Sequence, residues 1–344
     1  MATQAGPTRM GRPRTWRLVA LLLLVAPVSA EYLAAYDPEV TGQVWQLVGG
    51  LAVLAPLYGA PAVLIHEVAA RTAMHWTGIL TLGGAFGVLQ AGVVDQSLFA
   101  LSYLGYADWG TWVAATMITP LGVSGAFALN FLVGHAVWSI GAPVALVEAF
   151  DRSPARRPWL GVPGIAVLSV LWVLASVVVW RDIRDAGSDQ ASVGQLVGAV
   201  ALAAALVVVA CTWGRRPLPT PTSARVPPPG VVLVVALALA LGYGFVPGTW
   251  AGVAGGITIL AVAAVVVVRW SRSATWGRRH VAAVAGGAVV ARAIGGFVTV
   301  ATTTPRPPGG FAQNVVLLVA ALALVAAALA RRPRPHQEAL SPLV

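Results

Sequence analysis

Lysine is absent from these 344 residues, and cysteine occurs only once. With every basic residue an arginine, and Ala, Val, Gly and Pro abundant, the bias reads as GC-rich codon supply rather than as an Arg-specific function. A lone cysteine excludes an intramolecular disulfide and a cysteine metal cluster. Cys211 falls in an apolar run and is expected to be a buried structural thiol. Charge is scarce as well. Charged residues make up 10% of the chain, against about a quarter in ordinary globular proteins. Hydrophobic residues reach 58% and mean hydropathy is +0.80, so too few polar side chains exist to cover a water-facing surface. Soluble enzyme, nucleic-acid binder and disordered chain are thereby excluded for the chain as a whole. No phosphate-cradling glycine loop, HExxH, GxSxG elbow or CxxC occurs.

What remains is apolar sequence in long runs. A helix crossing a bilayer needs about 20 mainly apolar residues. Ten stretches meet that ruler: 17–35, 43–65, 76–94, 125–147, 159–180, 193–213, 230–246, 249–268, 281–300 and 313–330. They are continuously apolar rather than alternating, which excludes a closed barrel. The expected fold is all-α, a polytopic transmembrane helix bundle. Tryptophans such as Trp16, Trp76, Trp159, Trp213 and Trp250 sit at the predicted ends, where indole prefers the interface.

The formal charge of +10 becomes a topology signal once each arginine is placed. Eighteen fall on one side: Arg9, Arg12, Arg14 and Arg17; Arg71; Arg152, Arg156 and Arg157; Arg215, Arg216 and Arg225; Arg269, Arg272, Arg278 and Arg279; Arg331, Arg332 and Arg334. Only Arg181, Arg184 and Arg306 fall on the other, and Arg292 lies within a span. The positive-inside rule then puts both termini in the cytoplasm, in a cell membrane. Residues 9–30 also read as a signal peptide ending at Val28-Ser29-Ala30, which would leave nine spans; an uncleaved first helix is the preferred reading. Pro217–Pro229 reads as an extended, solvated linker. The chain divides into a polar-featured membrane half (1–214), a proline-rich linker (215–229), a Val/Ala-rich membrane half (230–330) and a tail (331–344). The glycine pairs at 49–50, 83–84, 255–256 and 286–287 read as close helix-packing surfaces.

Polar groups inside a bilayer are costly and therefore point to function. Glu67 and Arg71 are spaced i,i+4 at an inner span end, which predicts an interfacial ion pair. Gln90 lies about one turn from the outer end of the third span, with Asp95 at its boundary. Asn130, His135 and Ser139 share the fourth span, and Gln90 and Asn130 are expected at similar depth. His135 can titrate, shuttle a proton, or remain a structural hydrogen-bond donor. Metal binding is not expected, because the other histidines lie at the inner side. Arg292 needs a partner from another helix or a water-filled cavity, and no carboxylate is expected at its depth. The loop 95–124 reads as solvated, with a short interfacial helix near Trp109–Trp112.

From Leu57 to Phe99 the run LYGAPAVLIHEVAARTAMHWTGILTLGGAFGVLQAGVVDQSLF resembles an actinobacterial family of multi-pass membrane proteins without an assigned activity. The likeness extends through His135-Ala136-Val137-Trp138-Ser139-Ile140 and Pro158-Trp159-Leu160-Gly161. Phe131-Leu132-Val133-Gly134-His135 is similar to the Phe-x-x-x-His element of glutamic intramembrane proteases of the CAAX-processing and bacteriocin-protection type. Gln90-Ala91 stands where that family carries its glutamate pair, so the resemblance implies lost catalysis. Two expectations follow. One is a permease-like or small-molecule-binding bundle with its polar site in the outer half, between spans three and four. The other is a catalytically degenerate protease relative that binds another membrane peptide. The expected partners are the lipid bilayer and a small polar ligand or another membrane protein, with no cofactor and no nucleic acid.

Overall fold

The computed structural model describes residues 15–331, except 38, 154, 218 and 219. Arg9, Arg12, Arg14, Arg332, Arg334 and both chain termini thus lie outside the described residues. The described residues are 72% helical with almost no sheet. Among the described residues, eight helices are long and apolar enough to cross a membrane: α2 (Val44–Thr72), α3 (Trp76–Val94), α4 (Gly125–Glu148), α5 (Val162–Asp185), α6 (Val193–Arg215), α8 (Trp250–Ser271), α9 (Arg278–Thr302) and α10 (Gly310–Ala330). Two shorter apolar helices fill the remaining expected stretches. These are α1, an α-helical Trp16–Pro27 continued by a π-helical Val28–Tyr32, and α7 (Pro229–Gly244).

Helices α3, α4 and α9 are central, and α5, α6, α8 and α10 are peripheral. Of the most apolar window in α3, 67% is buried, against 11% in α5 and in α8. The peripheral helices turn Val and Leu outward, as with Val197, Val208, Val265 and Val316. That surface is solvated only by hydrocarbon without penalty. Cys211 belongs to it. It is exposed rather than buried, because α6 presents an apolar face outward as well as inward.

Small residues let the central helices approach. A methyl group added at Gly83 would meet the Ala136 Cα at 2.9 Å, and one at Gly287 would meet the Leu237 N at 2.6 Å. These contacts join α3 to α4 and α9 to α7. Gly49 and Gly84, by contrast, have nothing within 4 Å. The core also crosses the proline-rich linker. Leu33 of the first half and Ala142, Ala145 and Leu146 of α4 pack with Ala282, Val289 and Val325. The linker is extended and largely exposed, yet Thr222 is pinned to the α8–α9 loop through Arg272 O at 2.7 Å and Ala274 N at 3.0 Å.

Hydrogen bonds between loops sort the helix ends into two groups. At one end His75 N bonds Gly214 O at 2.8 Å, and Arg278 bonds Asp151 O at 2.9 Å. This end carries the described arginines of the eighteen-residue set. At the other end Asp189 accepts from Leu101 N and Ser102 N at 3.0 and 2.8 Å, and Gln313 accepts from Gly42 N at 2.5 Å. The loop 95–124 at that end has much of its surface exposed and carries a short helix where one was expected, but it also folds over buried Trp109 and Val113. Its short helix Trp109–Ala114 precedes a hairpin of β1 (Met117–Ile118) and β2 (Val123–Ser124). Trp109 is buried, donates to Ala100 O at 2.9 Å and stacks on Tyr103 at 4.6 Å. Burial, and then the fields of Asp95 and Glu31, push the Tyr103 phenol far above its ordinary value.

Candidate functional site

Four helices break into π-helical turns, and each break carries a polar or ring side chain toward the middle of the bundle. The turns are Val28–Tyr32 in α1, Ala55–Gly59 in α2, Gln90–Val94 in α3 and His135–Gly141 in α4. Their side chains are Glu31, Tyr58, Gln90, and the pair His135 and Ser139. A π turn inserts an extra residue into the helical repeat, rotating the following side chains and leaving the i→i−4 ladder incomplete. Proline explains much of this placement, since it lacks the N–H that the ladder needs. Pro27 precedes the first turn, Pro56 lies within the second, and Pro143 follows the fourth. Pro27 cannot bond the Leu23 carbonyl, and Gly59 of α2 fits against that stretch, where a Cβ would come within 2.8 Å of Leu23 O.

The rings assemble first. Tyr58 stacks on His135 with centroids 5.8 Å apart, and Phe86 meets His135 edge-on at 5.3 Å. His135 Nδ1 is 3.1 Å from Ser139 Oγ, one turn on. The Tyr58 phenol and the Tyr36 hydroxyl both engage the carboxylate of Glu31. Tyr58 therefore links an acid on α1 to an imidazole on α4.

Arg292 completes the centre from α9. Its Nη2 donates to Ala30 O at 3.3 Å, and its guanidinium lies 5.4 Å from the Trp138 ring centroid. Trp138 is held for that contact by a 2.8 Å bond from its Nε1 to Ala288 O. The Nε of Arg292 is buried without a partner. Among the described residues no carboxylate oxygen lies within 4.0 Å of it. Glu31 is near enough for its field to act on the guanidinium. This corrects the expectation that no acid shares its depth. Glu31 falls within the expected span 17–35 and directly after the Val28-Ser29-Ala30 cleavage site of the alternative reading, and it is not among the neighbours expected for Arg292. Arg292 also lines a cavity of about 470 Å³ with Asn130, Trp138, Tyr243, Thr299 and Thr302.

The structure divides the residues expected between the third and fourth spans. His135 and Ser139 meet directly, while Gln90 turns to Asp95, its Nε2 3.3 Å from Oδ2. Gln90 is buried with its Oε1 unpartnered. Asn130 is exposed on the cavity wall, and no hydrogen bond joins it to Gln90 among the described residues. Phe131 packs on Phe127 rather than on His135. The centre is thus wider than one helix pair, drawing on α1, α2 and α9 as well.

A second polar cluster lies at the arginine-rich end. Arg71 Nη2 is 2.9 Å from Glu67 Oε2, in the i,i+4 pair. Glu67 Oε1 accepts from Trp159 N at 2.5 Å and Leu160 N at 3.1 Å. Arg156 grips Glu148 with two bonds of 2.5 and 3.0 Å and donates to Met74 O at 2.8 Å. His66 lies between, 3.4 Å from Glu148 and stacked on Trp159 at 3.6 Å. Asp151 accepts from Arg157, Trp159 Nε1 and Ser153. Burial would raise its pKa, but these donors outweigh it and hold the carboxyl below its ordinary value. Burial and the adjacent Arg156 lower His75.

Among the described residues no three His, Cys, Asp or Glu side chains gather as a metal-binding set. Comparison with protein-family models, curated proteins and solved structures finds no match to this chain.

Proposed function

We propose that this protein is a permease-like, ligand-binding helix bundle of the cell membrane, with ten spans and both termini cytoplasmic. Its ligand is a small anion with an apolar body. The observation that carries the reading is Arg292: a partly buried arginine whose Nε is enclosed without an acceptor, on the wall of a cavity between helices. Burying a cation without a bonded counter-charge is costly, and such groups mark ligand pathways in membrane proteins. A carboxylate, sulfonate or phosphate would supply the missing acceptors. Asn130 adds a neutral donor, and Phe127, Leu129, Val253 and Val298 supply an apolar wall for the rest of the molecule.

The ten-span topology is supported by the sorting of loops into two ends and by the eighteen-to-three division of arginines. The likeness to glutamic intramembrane proteases adds no catalytic step. Gln90 presents a carboxamide bonded to Asp95, and a carboxamide cannot take the proton of an attacking water.

The test uses the full chain in lipid nanodiscs and decanesulfonate as probe, followed by thermal shift. We expect saturable stabilisation in wild type and its loss in Arg292→Gln. Equal stabilisation of both proteins would reject Arg292 as the receptor.

A further inference from the structure

We propose that anion binding at Arg292 is coupled to uptake of one proton by Glu31. The coupling rests on Arg292 being the anion receptor, and it adds a second ion to that site. Arg292 donates to Ala30 O at 3.3 Å, one residue before Glu31, and makes no contact pair with that carboxylate. A second anion bonded to Arg292 from the cavity it lines brings two negative charges to one guanidinium. In a site poor in water, like charges favour protonation of the weaker acid. A sulfonate cannot take that proton, so Glu31 does. The step is a simple addition: a proton from the aqueous phase joins the Glu31 carboxylate to give a carboxylic acid. No bond to the ligand forms or breaks.

The surroundings of Glu31 fit this role. The residue is partly exposed, so a proton can reach it. The Tyr36 hydroxyl and the Tyr58 phenol are its direct partners, and a phenol can either donate to a carboxylate or accept from a carboxylic acid. The charged groups that act on it are Arg292 on α9, Asp95 after α3, and Asp37 beyond its own helix. Tyr103 and Tyr106 face it from the outer loop. His135, on the α4 turn, reaches it only through Tyr58. Of these groups, His135 is the competing proton acceptor, and Asp95 is already tied to Ser97 and Gln90.

Reciprocity supplies the readout. If anion binding takes up a proton, then protons must tighten anion binding by the same free energy. Decanesulfonate keeps its charge at all pH values used, so its titration curve reports the protein alone. We measure its Kd for the full chain in nanodiscs from about pH 5 to about pH 8. Where free Glu31 is ionised, the expected Kd falls about tenfold per unit decrease in pH. Glu31→Gln keeps the shape and a hydrogen-bonding oxygen, and should bind with a Kd independent of pH. Glu31→Asp should retain the slope. His135→Gln should retain it too; a slope that survives Glu31→Gln but vanishes in His135→Gln overturns the proposal. Binding that is lost in Arg292→Gln yet flat with pH in wild type also overturns it, while leaving the receptor reading intact. No binding by wild type at any pH defeats both.

Discussion

The two polar clusters of this bundle are built from similar residues and satisfied to very different degrees. At the arginine-rich end, Glu67, Glu148 and Asp151 each have a basic partner and further donors, and Arg156 spends its donors on Glu148 and Met74 O. At the π-helical centre, Arg292 has one long bond to a carbonyl, an unpartnered Nε and an acid beyond contact. The arginine-rich network leaves one ring nitrogen, His66 Nδ1, buried without a partner, whereas the centre leaves a cationic donor unmatched beside a cavity. The arginine-rich cluster ties Glu148, Trp159 and Leu160 to α2 and its flank, whereas the centre is the site for which we propose a ligand.

The contrast is broken first by stability measurements, and the inner cluster should show the larger effect. Glu148→Leu strands the Arg156 guanidinium and should cost about 3 kcal/mol of unfolding free energy. Arg292→Met removes an under-satisfied cation and should leave stability unchanged or raised. A loss at Arg292 equal to that at Glu148 would make both clusters structural.

Acid should loosen the inner cluster selectively. Asp151 has a depressed pKa, so its stabilising contribution is present above about pH 4 and is lost as pH falls through the folded value. Trp159, bonded to Asp151 and stacked on His66, is the reporter. Its fluorescence should change below about pH 4 in wild type, and Asp151→Asn should abolish that transition. The smallest effect belongs to Arg71, whose side chain is 39% exposed in its pair with Glu67. Arg71→Ala should cost no more than about 1 kcal/mol.

The sequence alone carries the helices, because an apolar run about 20 residues long has few other uses. It also carries the Glu67–Arg71 pair, a matter of spacing within one helix. The polar centre was only half legible. His135 and Ser139 are four residues apart and meet, but the carbonyl that Arg292 bonds lies 262 positions away in sequence, at Ala30, beside Glu31. Such a contact depends on which helices pack together, and periodicity does not encode that. The π turns hide the rest, since one added residue rotates every later side chain from its α-helical face. Pro27, Pro56 and Pro143 inside apolar runs were the visible warning. Trp109 and Trp112 divide: Trp112 is exposed, as an interfacial helix would have it, whereas Trp109 is buried against Tyr103 and Phe127, a packing that spacing alone does not reveal.

The central claim is that Arg292 receives an anion within the cavity it shares with Asn130 and Thr299. An experimental structure of the full chain with ω-bromodecanesulfonate tests it most directly. The account predicts sulfonate oxygens about 2.9 Å from the guanidinium nitrogens, with the bromine along the apolar cavity wall. A sulfonate held instead by the loop arginines, with the cavity empty at saturating probe, would contradict it.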